Sequence, residues 1–138
     1  MQQNKPRFIS NHEDLEVYKI AFDAAMEIFK LSKNFPKGEK YSLIDQIRRS
    51  SRSVCANLAE AWTKGLPACR RRYKGSFLSK LNDAEAEAAE TQVWLKFAVK
   101  CQYLDLDKGR ELYSQYNQIL GLIVVMTNSA DKWLLKKN

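Results

Sequence analysis

A chain of 138 residues, 45% apolar and 28% charged, is one domain's worth and large enough for a real core. No apolar run reaches the roughly 18 residues of a bilayer span, and the opening MQQNKPRFISNHEDLEV lacks the apolar stretch of a secretory signal. A cytoplasmic protein is therefore the default expectation. The net charge of +7 points towards an anionic partner. Cys55, Cys69 and Cys101 are odd in number and widely spaced, which fits free thiols rather than a disulfide framework or a zinc site.

With 5 Gly and 3 Pro the chain has few breaks, so long elements are expected. The first helix is predicted over about 11–34, opened by a capping box of Ser10 with Glu13. Its apolar stripe is Leu15, Tyr18, Phe22, Ala25 and Phe29, and Pro36 and Gly38 end it.

The second helix is predicted over about 39–64, with Gly65 and Pro67 beyond it. Ile44, Ile47, Ser51, Val54, Leu58 and Trp62 gather on one side; Arg48, Arg49 and Arg52 centre about 120° away, off the core. Asp45 stands within i+3 and i+4 reach of Arg48 and Arg49, but one carboxylate cannot neutralise three guanidiniums. Ala56 and Ala59 beside them leave a flat surface where another helix could approach.

The third helix is predicted over about 68–101, with the stripe Phe77, Leu81, Ala84, Ala88, Thr91, Leu95 and Ala98. Arg70, Arg71, Arg72 and Lys74 crowd its start, where the helix dipole disfavours cations; four of them there suggest an external anion. Tyr73 among them fits the apolar stripe better than a base-stacking role. Asp83, Glu87 and Glu90 share a face away from Phe77. A basic and an acidic face on one chain suit head-to-tail association between copies, with pairing between adjacent helices of one bundle as the alternative.

The fourth helix is predicted over about 105–135, with Asp105 as N-cap. It carries two stripes. One is Tyr113, Tyr116, Leu120, Ile123, Thr127, Ala130 and Leu134; the other is Leu112, Ile119, Met126 and Trp133. One stripe suffices to close a bundle, so an arc this wide is either deeply buried or also faces another subunit; the second stripe is assigned to the subunit contact. No β-alternation or repeat is found. Short connections make the expected fold all-α: a single antiparallel up-down-up-down four-helix bundle over residues 1–138.

The positive charge is concentrated. Residues 48–80 hold nine Lys/Arg and one acid, Glu60, for a local charge of +8; the rest of the chain is −1. Catalytic constellations are missing: the single histidine, His12, lies outside the helical body, no Glu-x-x-His pair is present, and no phosphate loop or nucleophile elbow occurs. The reading is of a non-enzymatic protein that needs no cofactor or metal.

The motif order resembles the four helix bundle proteins of bacterial 23S rRNA intervening sequences. The residues that carry the likeness are Leu15, Val17, Tyr18, Phe35 and Pro36 in and after the first helix, and Tyr41, Leu43, Gln46, Arg48, Arg49, Asn57, Leu58, Ala59 and Glu60 in the second. Ala61-Trp62 departs from the Gly that follows the Glu in many relatives, so the second helix is expected to run on. The resemblance implies a four-helix bundle, often a pentamer, related to the accessory variability determinant of diversity-generating retroelements, a basic pentameric barrel that binds nucleic acid and a reverse transcriptase.

Two functions follow as expectations. One is an oligomeric nucleic-acid-binding protein that grips phosphate through Arg70, Arg71, Arg72, Lys74, Lys64 and Arg52. The other is an interaction scaffold or accessory subunit, for example of a reverse transcriptase. Its assembly or structural residues would be Arg48, Arg49, Asn57, Glu60, Asp83, Glu87, Glu90, Leu112, Ile119, Met126 and Trp133.

Overall fold

The computed structural model describes residues 11–64 and 74–130. Within them lie four α-helices: α1 (Glu16–Ser32), α2 (Leu43–Lys64), α3 (Lys74–Lys100) and α4 (Leu106–Asn128). Two single 3-10 turns, His12–Asp14 and Lys37–Glu39, precede α1 and α2. No strand occurs among the described residues. The expected stretches 68–73 and 131–135 of the third and fourth helices, with Ser10, Tyr73 and Trp133, lie outside them.

Local chemistry sets each helix end. Asn11 caps the first 3-10 turn: its Oδ1 accepts from the Glu13 amide at 2.7 Å, and its own amide donates to Asp14 Oδ2 at 3.3 Å. Asp105 caps α4 as expected, its carboxylate accepting from the amides of Asp107 and Lys108 at 3.1 and 3.2 Å. Glu39 opens α2. Its Oε1 accepts from the Ser42 hydroxyl at 2.5 Å and the Leu43 amide at 3.2 Å, and its Oε2 from the Tyr103 hydroxyl at 2.8 Å. These bonds, Ser42's foremost, hold the Glu39 carboxyl below its ordinary pKa.

α3 ends in a left-handed turn. Gln102 has φ 64°; its amide donates to Val99 O, and that of Tyr103 to Ala98 O, both at 2.9 Å. This is the Schellman pairing, occupied here by glutamine where glycine is usual.

Every residue of the expected α3 stripe is buried: Phe77, Leu81, Ala84, Ala88, Thr91, Leu95 and Ala98. The α2 side is also as expected at Ile47, Ser51, Val54 and Leu58, with Ile44 and Trp62 half-buried. At α1 the expected Leu15 and Ala25 are buried, and Val17, Ala21, Ala24 and Ile28 complete the core. Tyr18 and Phe29 are half-buried and Phe22 is 47% exposed. The alanines let the helices approach closely, so the bulky aromatics are displaced to the flank of the α1–α2 seam.

The second α4 stripe also departs from expectation. Leu112 (1% exposed), Ile119 (0%) and Met126 (8%) lie in the core of the single chain with Tyr116 and Ile123. They are therefore not an outward subunit face. The arc from 112 to 126 is the core side of α4, and Tyr113 and Leu120 flank it.

Between α2 and α3, Arg49 meets Glu90, Ser50 meets Thr91 and Glu60 meets Lys80. The Ser50 and Thr91 hydroxyls touch at 2.8 Å in a fully buried seam. Their small size allows this approach, and main-chain carbonyls of their own helices, Ile47 O and Glu87 O, accept as well. Between α3 and α4, Gln92 Nε2 donates to Tyr113 O at 3.2 Å and Asn117 Oδ1 at 2.8 Å. Gly109 permits close packing here, since a Cβ would come within 2.4 Å of a Val99 methyl.

Candidate nucleic-acid interface

The three arginines of α2 have separate surroundings. At 48% side-chain exposure, Arg49 points at α3 and bonds Glu90 Oε2 at 2.6 Å, with Glu87 Oε1 at 3.6 Å. Trp94 Nε1 donates to the same Glu90 oxygen at 3.1 Å. Arg49, Glu87 and Glu90 thus pair inside one chain, the adjacent-helix alternative. Glu60 is likewise engaged by Lys80 at 2.8 Å, with Asp83 a weaker electrostatic neighbour of that lysine. Asn57 Nδ2 donates within its own helix, to Ser53 O at 3.0 Å and Ser53 Oγ at 3.1 Å.

Arg48 and Arg52 turn to α1 instead. Arg48 Nε donates to the buried Ser32 hydroxyl at 2.8 Å, and its guanidinium lies 4.8 Å from the Phe29 ring centre. The Arg52 guanidinium lies 5.6 Å from the same ring, and Lys33 Nζ 4.8 Å. Three cations therefore surround one aromatic ring. Among the described residues no carboxylate forms an ion pair with Arg48, Arg52 or Lys33. Asp45, within reach in the sequence, makes no ion pair with Arg48 or Arg49. Arg52, exposed and without a carboxylate, keeps its charge available to an external anion.

Arg52 stands at the edge of a groove of about 290 Å³ lined by Tyr18, Phe22, Met26 and Phe29 of α1, with Cys55 at its base. Burial raises the Cys55 thiol to about 11, so it stays protonated and unreactive at neutral pH. Cys101 is free and exposed.

Lys74 is exposed at the first turn of α3, and Lys64 ends α2. The proposed phosphate contacts Arg70, Arg71 and Arg72 fall in 65–73, outside the described residues, as does Cys69. The sequence reading missed Lys33, whose signal was its i+4 spacing from Phe29. It also missed Trp94 as a partner of Glu90. Among the described residues no group of His, Cys, Asp or Glu is arranged to hold a metal, and no helix is long and apolar enough to cross a membrane.

The comparisons agree with this architecture. A crystal structure of a protein with unknown function from the S23 ribosomal protein family of Bacteroides thetaiotaomicron superposes with a TM-score of 0.70 at 26% identity. The match covers 81% of this chain and 95% of that one. No curated protein matches. The model of the family described as 23S rRNA-intervening sequence protein matches residues 13–125, most of the length and all but the last turn of α4. By that match the chain belongs to the family of 23S rRNA-intervening sequence proteins.

Proposed function

We propose that the protein is a non-enzymatic, cytoplasmic bundle that binds nucleic acid through phosphate contacts at the basic surface between α2 and the start of α3. The observation that carries this reading is the local charge of +8 over residues 48–80. Arg49 and Lys80 spend theirs on carboxylates of the same chain; Arg52 does not. Along the chain, Lys64, the Arg70–Arg72 run and Lys74 add further cations suited to a polyanion. The family's name associates its members with 23S rRNA, which makes RNA the first ligand to try.

The test is affinity for RNA and DNA from about 50 to 200 mM salt, a range over which several phosphate contacts cost orders of magnitude. Reversal of Arg70, Arg71 and Arg72 to Glu is expected to weaken binding while the helical circular dichroism stays unchanged. Failure to bind either nucleic acid at the low-salt end overturns the reading.

A second reading is a scaffold or accessory subunit, for example of a reverse transcriptase. We propose an up-down-up-down bundle assembled as a ring, with a pentamer as the expected size. The observation in its favour is the exposed apolar set Phe22, Met26, Val93, Phe97, Val124 and Val125 on three helices. Light scattering on a Phe22→Lys plus Met26→Lys variant tests it: a lower mass supports α1 as an assembly face, and an unchanged mass removes it. A ring would multiply the basic surface, so both readings can hold together.

A further inference from the structure

A second cationic feature lies away from residues 48–80, in the groove between the end of α3 and the start of α4. Its volume is about 530 Å³, within the range of small-molecule sites. Leu95 and Val99 of α3 and Leu106 and Tyr113 of α4 supply an apolar surface, with Val99 packed closely against Gly109 of α4. Leu106 is 51% exposed.

Lys96, Lys100 and Arg110 border this surface. Lys96 and Lys100 are four apart on α3 and share a face; Arg110 faces them from α4. No acidic residue lines the groove. Among the described residues none of the three forms an ion pair, whereas Arg49, Lys80 and Lys108 all do. Lys96 Nζ lies 5.8 Å from the centre of the Tyr113 ring. The groove thus combines an apolar floor with unneutralised cations at its edge.

We propose that this groove binds an amphipathic anion, a molecule with an alkyl or aryl body and one carboxylate head. The body covers Leu95, Val99 and Leu106; the head meets Lys96, Lys100 and Arg110. A bare phosphate would leave the apolar floor wet, and an uncharged alkyl chain would leave the cations unpaired, so neither matches both halves of the site. Nucleic acid is the weaker fit because the wall is mostly aliphatic and the single ring, Tyr113, already carries Lys96 on its face. The proposal does not depend on the nucleic-acid reading, which concerns α2 and the start of α3.

Dodecanoate, dodecanol and inorganic phosphate are the probes, each titrated into the full chain by calorimetry, with chemical shifts at Leu95, Val99 and Leu106 locating the site. Dodecanoate is expected to bind with one site per chain and more tightly than dodecanol by about tenfold. The variant with Lys96, Lys100 and Arg110 all changed to Gln is expected to remove that difference. Ser114→Phe, an exposed change that fills the groove, is expected to abolish binding with the helical spectrum intact. Equal affinity for dodecanoate and dodecanol, shifts located elsewhere, or displacement of dodecanoate by phosphate alone would each overturn the proposal. Displacement by a single-stranded oligonucleotide at equimolar level would also overturn it and assign the groove to nucleic acid.

Discussion

Arg49 of α2 and Glu90 of α3 meet at 2.6 Å, and Trp94, one turn beyond Glu90, donates to the same carboxylate oxygen. The bridge connects two helices across the surface of one chain. Its partners are 48% and 33% exposed, so solvent screens it and it is worth about 0.5–1 kcal/mol. A double-mutant cycle of Arg49→Gln and Glu90→Gln in urea is expected to return a coupling of that size, shrinking as salt is added. Because the pair is intramolecular, Arg49→Glu should leave the mass seen by light scattering unchanged.

The Ser50–Thr91 contact is a stronger determinant of α2–α3 packing because nothing there can relax towards water. Ser50→Leu is expected to cost about 1–3 kcal/mol by forcing the helices apart. Ser50→Ala removes one hydroxyl but leaves Glu87 O as an acceptor for Thr91, so about 1 kcal/mol is expected. Chemical denaturation of both variants checks the order.

Gln102 occupies a backbone conformation that glycine adopts without steric cost. Gln102→Gly is therefore expected to stabilise the protein by about 1 kcal/mol and raise Tm by roughly 3–6 °C. Gln102→Val, β-branched, should lower it. Thermal melts of the three proteins test the sign.

Cys55 predicts an alkaline weakness. Its thiol ionises near 9.0 ordinarily and at about 11 when buried, so the folded state holds its proton more tightly than the unfolded state does. Its contribution is complete below pH 9 and is lost as pH rises to 11, at up to about 1.4 kcal/mol per pH unit. Cys55→Ala should flatten that part of the stability–pH curve. Tyr116, whose hydroxyl burial also raises, adds a decline that begins above pH 10 and persists in the variant. In a Cys69→Ser background at pH 8, a thiol reagent should label Cys101 quickly and Cys55 only after denaturation.

How far the sequence could be read depended on whether one helix alone decided the matter. The α3 stripe from Phe77 to Ala98 was legible because its small and large apolar residues recur on one face without competitors. On α1 the aromatics Tyr18, Phe22 and Phe29 drew the stripe one face too far, since bulk suggests burial while Ala21, Ala24 and Ala25 permit it. The α4 arc was wide enough for two divisions, and only the positions of its neighbours place Leu112 and Ile119 inside. Arg49–Glu90 needed the register between two helices, which no single-helix projection contains. The cations Lys96, Lys100 and Arg110 were hidden by charge counting, because acids elsewhere in the same stretch of chain cancel them on paper but not in space.

Glu39 joins two connections that are far apart in the chain. Its carboxylate ends on α2 with one oxygen and on Tyr103 with the other, while Phe35 packs its ring 5.7 Å from that of Tyr103. The turn after α1 and the turn after α3 are thereby clasped together. Slow amide exchange at this end should be lost in both turns at once, since neither can swing out without releasing the other. The clasp gives the bundle one end that opens only as a unit.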